Sequence, residues 1–204
     1  MLLVYRGGYY QLPIVSTKYE FTNNTAYYFY EGLGVSPALE DIENELSKYV
    51  KYELGSCVNF GVFEEQGIIV EGGEINAQTK IQDGKVLLNV NYPLTITKGE
   101  SVSVVENFNA DILSDIKKFF DLSKQITEEQ NKDPNSILES FLIDLALENN
   151  INYDLIQDGD NVIYVLIDKK PRSSGFPPEE LPTEDNQVYY TFIFAIKYDW
   201  NLAE

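Results

Sequence analysis

The 204-residue chain contains no histidine. That absence removes the serine and cysteine triads built on an imidazole, the usual zinc sites and the commonest general base. Cysteine occurs once, at Cys57, so no disulfide can close within the chain. Basic residues are scarce. Fifteen Lys and Arg stand against thirty-three Asp and Glu, for a net charge of −18. With no basic stripe to neutralise phosphates, nucleic acid is not an expected partner. Solubility is the leading reading of the acidity, with salt adaptation and cation attraction as alternatives. Long apolar runs are missing too. No segment reaches the roughly 20 residues that a spanning helix needs, and no charged-then-apolar leader opens the chain.

Catalytic and ligand-binding signatures are equally sparse. Gly7-Gly8, Gly72-Gly73 and Ser173-Ser174-Gly175 match neither the phosphate loop nor the dinucleotide fingerprint. Asp158-Gly159-Asp160-Asn161 looks like a fragment of a calcium loop. The twelfth position, where a glutamate should stand, is Lys169, so a hairpin turn explains these residues better. The acid pairs Glu64-Glu65, Glu128-Glu129 and Glu179-Glu180 are adjacent in sequence. Glycoside cleavage needs two carboxyls opposed across a cleft, so these pairs read as solvated surface. No metal, cofactor or catalytic residue is assigned.

What is present can fill a core, since 44% of the residues are hydrophobic and 13% aromatic. The clearest element is Ser36 to Val58. Ser36 is placed to cap a helix and Pro37 to occupy its first position. Leu39, Ile42, Leu46, Tyr49, Val50, Leu54 and Cys57 recur at three- and four-residue steps as one apolar stripe. On that stripe Cys57 reads as a small buried hydrophobe.

Before the helix, Tyr9–Val15 and Thr25–Glu31 read as strands. Tyr27, Tyr28, Phe29 and Tyr30 put aromatic residues on both faces of the second, as in a strand covered on both sides. After it comes a meander. Gly67–Glu71 and Glu74–Gln82 precede a tight turn at Asp83-Gly84, then Lys85–Thr97 and Ser101–Phe108. Pro93 places its end of the third strand at an edge or a bulge. Two helices follow, Asp111 to about Gln130 and one begun by Asp133-Pro134 and ended by Asn149-Asn150. Ile151–Gln157 and Val162–Asp168 form a hairpin about Asp158-Gly159. Residues 169–186 are a long proline-rich loop, and Gln187–Tyr198 closes the domain as an apolar strand. Ile81-Gln82-Asp83-Gly84 recurs as Ile156-Gln157-Asp158-Gly159, which reads as two solutions to one turn requirement rather than a duplication.

This order predicts an α+β fold with a mainly antiparallel sheet. A strand–helix–meander of cystatin-like element order is joined by two further helices and a C-terminal three-stranded segment. Residues 1–16 read as a linker with the first strand. Residues 17–204 form one α+β domain, divisible at 17–110 and 111–204. Loops as long as 169–186 are functional or disordered. Within it Arg172, Phe176, Pro177 and Leu181 are the expected partner-binding residues.

The chain resembles a family of uncharacterised, single-span membrane proteins of DPANN-group archaea. The resemblance rests on Gly7-Gly8-Tyr9, Leu12-Pro13, Tyr28 and Tyr30. It continues through Pro37, Glu43, Leu46, Tyr49, Leu54 and Cys57, then Tyr92-Pro93, Lys98-Gly99, Phe108 and Phe194-Ala195. It implies a transmembrane helix just upstream of Gly7, absent from this chain, and a domain outside the cytoplasm. The apolar opening MLLVYRGGYYQLPIV then reads as the stub of that anchor. The function expected is a membrane-tethered interaction or surface-structural domain, without catalysis, that meets a protein or cell-surface partner. The alternative is a carboxylate-based hydrolase acting on cell-surface glycans.

Overall fold

A computed structural model describes residues 2–17, 24–172, 188–198 and 200. The fold is α+β, with mainly antiparallel sheets, and divides into two compact units. One comprises Met1–Pro37 with Lys118–Glu204, the other Ala38–Lys117. The boundaries differ from a division at residue 110 because strands from both ends of the sequence share one sheet.

The first unit holds α1 (Leu2–Tyr5), β1 (Ser16–Thr17), β2 (Thr25–Tyr30), β3 (Leu33–Gly34) and most of α3 (Ile116–Gln130). Further on come α4 (Glu139–Asn149), β8 (Ile151–Asp158), β9 (Asn161–Arg172) and β10 (Val188–Lys197). The strand order is β1-β2-β10-β9-β8, with β3 also on β2. Only the β2–β10 pair is parallel among the described strands. β10 is central, which suits the unbroken run Phe192-Ile193-Phe194-Ala195-Ile196, all buried. Phe192, Phe194, Ile196, Tyr164 and Leu166 pack with Phe119, Leu122 and Ile126 of α3 and Leu142 and Leu145 of α4. Ile163, Ile193 and Ala195 form a second cluster with Tyr27. The first five residues of β2 are all buried, so its aromatics are core on both faces.

In the second unit, α2 (Leu39–Cys57) is followed by a 3₁₀ helix (Phe60–Gln66), β4 (Ile68–Gly72), β5 (Asn76–Gln82), β6 (Lys85–Lys98) and β7 (Ser101–Leu113). β6 is the axis of the sheet. β7 pairs along one of its edges. On the other, β5 pairs with residues 85–91 and β4 with residues 94–98, end to end. Pro93 sits where these partners change and where the β6–β7 register shifts, so its missing N–H falls at a bulge. The outer edge of β5 is closed by α2 side chains. Ile81 N–H donates to Glu43 Oε1 at 2.9 Å and Thr79 N–H to Ser47 Oγ at 3.0 Å. Both donors would otherwise lack a partner.

Several boundaries differ from the sequence reading. Ser36 and Pro37 lie outside α2. The cap position is Ala38, whose N–H donates to Asp41 Oδ2 at 2.8 Å, the reciprocal arm of a capping box, while no side chain takes the bond that Ser36 was expected to make. Asp133-Pro134 lies in the turns before α4, which starts at Glu139. Asp111–Leu113 is strand rather than helix, because it completes the ladder opposite Lys85–Leu87. Tyr9–Val15 forms no strand. β9 runs on through Lys169–Arg172, four residues that the sequence reading placed in the loop, and residues 173–187 lie outside the described residues. The strand before α2 joins the other sheet, so the meander closes without it. In the two hairpins the shared Ile-Gln-Asp-Gly is out of step. Asp83-Gly84 is the two-residue loop of one, whereas Asp158 pairs with Asn161 and the loop of the other is Gly159-Asp160. Gly84 and Gly159 both have positive φ, at 73° and 59°, which glycine adopts without penalty.

Candidate functional site

The registers of β5, β6 and β7 bring together side chains that are far apart in sequence. Asn76 faces Asn91, which faces Asn107. Two residues along, Gln78 faces Asn89, which faces Asn109. Side chains on adjacent strands in register share a face. Six carboxamides therefore form a grid of two rungs by three strands, about 4.8 Å apart across strands and about 6.8 Å between rungs. They line a concavity of about 230 Å³. All except the half-buried Asn91 are exposed. Asn91 Nδ2 donates to Asn107 Oδ1 at 3.0 Å. Among the described residues, the amides of Asn76, Gln78, Asn89 and Asn109 make no side-chain hydrogen bond to the protein.

The opposite face of these strands is apolar, with Ile81, Val86 and Ile112 in one row and Ala77, Val90 and Phe108 in another. That alternation fixes which side chains the grid can contain. Charge begins only at the next rung, Lys80–Leu87–Asp111, and is already paired there. Lys80 Nζ lies 2.8 Å from Glu43 Oε2, and this hydrogen bond and the carboxylate's charge raise the pKa of the ammonium. Asp111 Oδ2 lies 2.8 Å from Lys85 Nζ.

β7 is the second notable feature. All thirteen of its residues are exposed, although Val102, Val104, Val105, Phe108, Ile112 and Leu113 are large and apolar. Among the described residues only β6 pairs with it, so one edge carries open backbone donors and acceptors.

The first unit buries a polar chain of its own. Tyr164 and Tyr198 share a hydroxyl hydrogen bond at 2.7 Å, and Tyr198 donates to Gln130 Oε1 at 2.8 Å. The Gln130 amide donates onward to the carbonyls of Asp133 and Ser136. Burial pushes the Tyr164 hydroxyl up to about 12 and raises Tyr198 as well. Each polar atom has a partner, so this network holds α3 and the turn after it against the sheet.

The residues singled out from sequence are placed differently. Arg172 ends β9 opposite Val188. Phe176, Pro177 and Leu181 lie outside the described residues. Cys57 is exposed, not buried. A Cβ on Gly55 would meet Ile75, one residue ahead of β5, so the last turn of α2 runs past the end of the strand it covers. Glu64 and Glu65 are exposed on the 3₁₀ helix. The buried carboxylates are engaged in structure. Glu43 holds the β5 edge, Glu45 pairs with Lys48, and Asp168 accepts from the Lys170 N–H. Among the described residues, no group of three or more Cys, Asp and Glu could hold a metal.

The grid was missed from sequence although its signal is there. The triplet Asn-x-Asn or Asn-x-Gln occurs once in each of three successive strands, at 76–78, 89–91 and 107–109. The chain matches no family model, no curated protein and no solved structure.

Proposed function

We propose that the chain is an extracytoplasmic, membrane-tethered interaction or surface-structural domain that works by self-association through β7 and not by catalysis. The observation that carries this reading is a thirteen-residue strand exposed along its whole length, with six large apolar side chains and one open edge. A second copy of the chain fits that edge. Asn107 is the midpoint of Ser101–Leu113, so an antiparallel pair with its two-fold axis there overlaps the full strand. Val102 and Val104 then face Ile112 and Ala110 of the second copy. Glu106 faces Phe108 and Asp111 faces Ser103, so no two acids oppose each other. The tether and the location outside the cytoplasm rest on the family resemblance. No helix among the described residues is long and apolar enough to cross a membrane.

Light scattering coupled to gel filtration tests the reading. The chain should show a concentration-dependent dimer, and Val104→Lys with Ile112→Lys should make it monomeric without changing its far-UV circular dichroism. Both side chains are exposed, so the substitutions spare the core. A monomer at every concentration, or a dimer indifferent to the two lysines, would reject self-association.

A further inference from the structure

The carboxamide grid has a use that lateral pairing does not require. We infer that it is a binding site for an uncharged, polyhydroxylated ligand, namely a neutral saccharide chain laid across β5, β6 and β7.

Chemistry selects this ligand class. Each carboxamide carries two N–H donors and a carbonyl with two lone pairs, while each sugar hydroxyl is both donor and acceptor. Of the six amides only Asn91 and Asn107 bond to one another, so the other four face solvent with their full capacity. An anionic ligand would call for Arg or Lys, and a cation for carboxylates. Neither rung holds a charge, in a chain whose net charge is −18. The charges on the next rungs of this face, Lys80, Lys85 and Asp111, are occupied by ion pairs.

The grid is not explained by folding. Asn is depleted in strands, and a solvated strand face is more economically made from Thr, Lys and Glu. Six amides in register, over an opposite face that carries the buried Ile81, Val86 and Val90, are a surface feature with its own purpose. An extended peptide fits less well. Strand-like peptides gain specificity from pockets for alternate side chains, whereas this is a single concavity lined by the six carboxamides and Val90. At about 230 Å³ it is below the roughly 300–1,000 Å³ of sites that enclose a drug-sized ligand. It therefore grips a short stretch of a polymer, with the affinity coming from repeated contacts along the chain.

Affinity electrophoresis of the intact chain in native gels tests this. The gels contain a neutral glucan, mannan or galactan, a polyuronate, a sulfated polysaccharide, or an uncharged Gly-Ser-Thr polypeptide. At least one neutral polysaccharide should retard the protein, and added salt should leave the retardation unchanged. The double variant Asn89→Ala/Asn109→Ala should weaken retardation about tenfold. Asn152→Ala, an exposed amide on β8 in the other sheet, should not. Val104→Lys/Ile112→Lys should still be retarded, so loss of self-association and loss of saccharide binding are read apart. The inference is overturned if no neutral polysaccharide retards the chain, if only the charged polymers or the polypeptide do, or if the grid variant runs like the parent while its amide proton spectrum shows it folded.

Discussion

Glu43→Ala is the substitution that most directly probes how the second unit holds together. Glu43 is buried, with one carboxylate oxygen on the Ile81 N–H and the other on Lys80 Nζ. Ile81 is itself buried, so truncation leaves its amide with neither protein nor water. A hydrogen bond to a charged group is worth about 1.5–3 kcal/mol, and stranding its donor costs about 1–3 kcal/mol from the same source. The Lys80 contact adds little. That side chain is 64% exposed, and solvated ion pairs contribute roughly 0–1 kcal/mol. Glu43→Ala should therefore cost about 2–3 kcal/mol. Glu43→Gln, which keeps an acceptor for Ile81, should cost about 1 kcal/mol. Lys80→Met should cost under about 0.5 kcal/mol. Native-state hydrogen exchange at the Ile81 amide reads this unit without interference from the other. Protection there should fall in the order Lys80→Met, Glu43→Gln, Glu43→Ala. If Lys80→Met is as damaging as Glu43→Ala, the salt bridge and not the edge closure stabilises the unit, and the reasoning fails.

Cys57 should react with a thiol reagent in the native protein nearly as fast as in denaturant, because it is exposed beyond the sheet. A rate suppressed a hundredfold by folding would place it back in a core. Alkaline pH should destabilise the first unit. Burial raises the pKa of Tyr28, Tyr164 and Tyr198 above the ordinary 10.0, so the unfolded chain loses these protons first. The stabilisation is complete below about pH 10 and is lost as the pH climbs through the folded values, near 12 for Tyr164. Absorbance at 295 nm should show a fraction of the tyrosines ionising only with unfolding. A single smooth titration centred at 10 would contradict their burial.

Legibility in the sequence followed the range of the interactions involved. The turn at Asp83-Gly84, the existence of a hairpin near Gly159, the stop at Asn150 and the apolar run of β10 are set by local chemistry, and each was readable, although the second loop is Gly159-Asp160 rather than Asp158-Gly159. Asn150, for instance, ends α4 with a left-handed φ of 51°. Elements set by distant partners were not. Asp111–Leu113 has an acid and two aliphatics that suit a helix start, yet the β6 ladder extends it as strand. Tyr9–Val15 has the composition of a strand, but no neighbour takes its hydrogen bonds into a ladder. Ser36-Pro37 and Asp133-Pro134 are good capping pairs, and in the first case the helix starts two residues later, with Asp41 accepting from the Ala38 N–H. The carboxamide grid depends wholly on register across three strands. A slip of one residue in any of them would turn its amides to the other face, and no single stretch of sequence reveals which register holds.

The parallel pair β2–β10 sets an order of events during synthesis. Tyr30 and Val188 are 158 residues apart, and the continuous second unit lies between them. At roughly 5–20 residues per second, β2 is made about 8–30 s before the strand that covers its edge. During that interval Tyr27, Tyr28, Phe29 and Tyr30 have no β10 to pack against. The inserted unit needs nothing from beyond Lys117 to complete its own sheet, so it can close while the aromatic strand waits. An apolar strand left open for that interval, with a self-sufficient unit made before its partner arrives, makes completion of the first unit's sheet the later step.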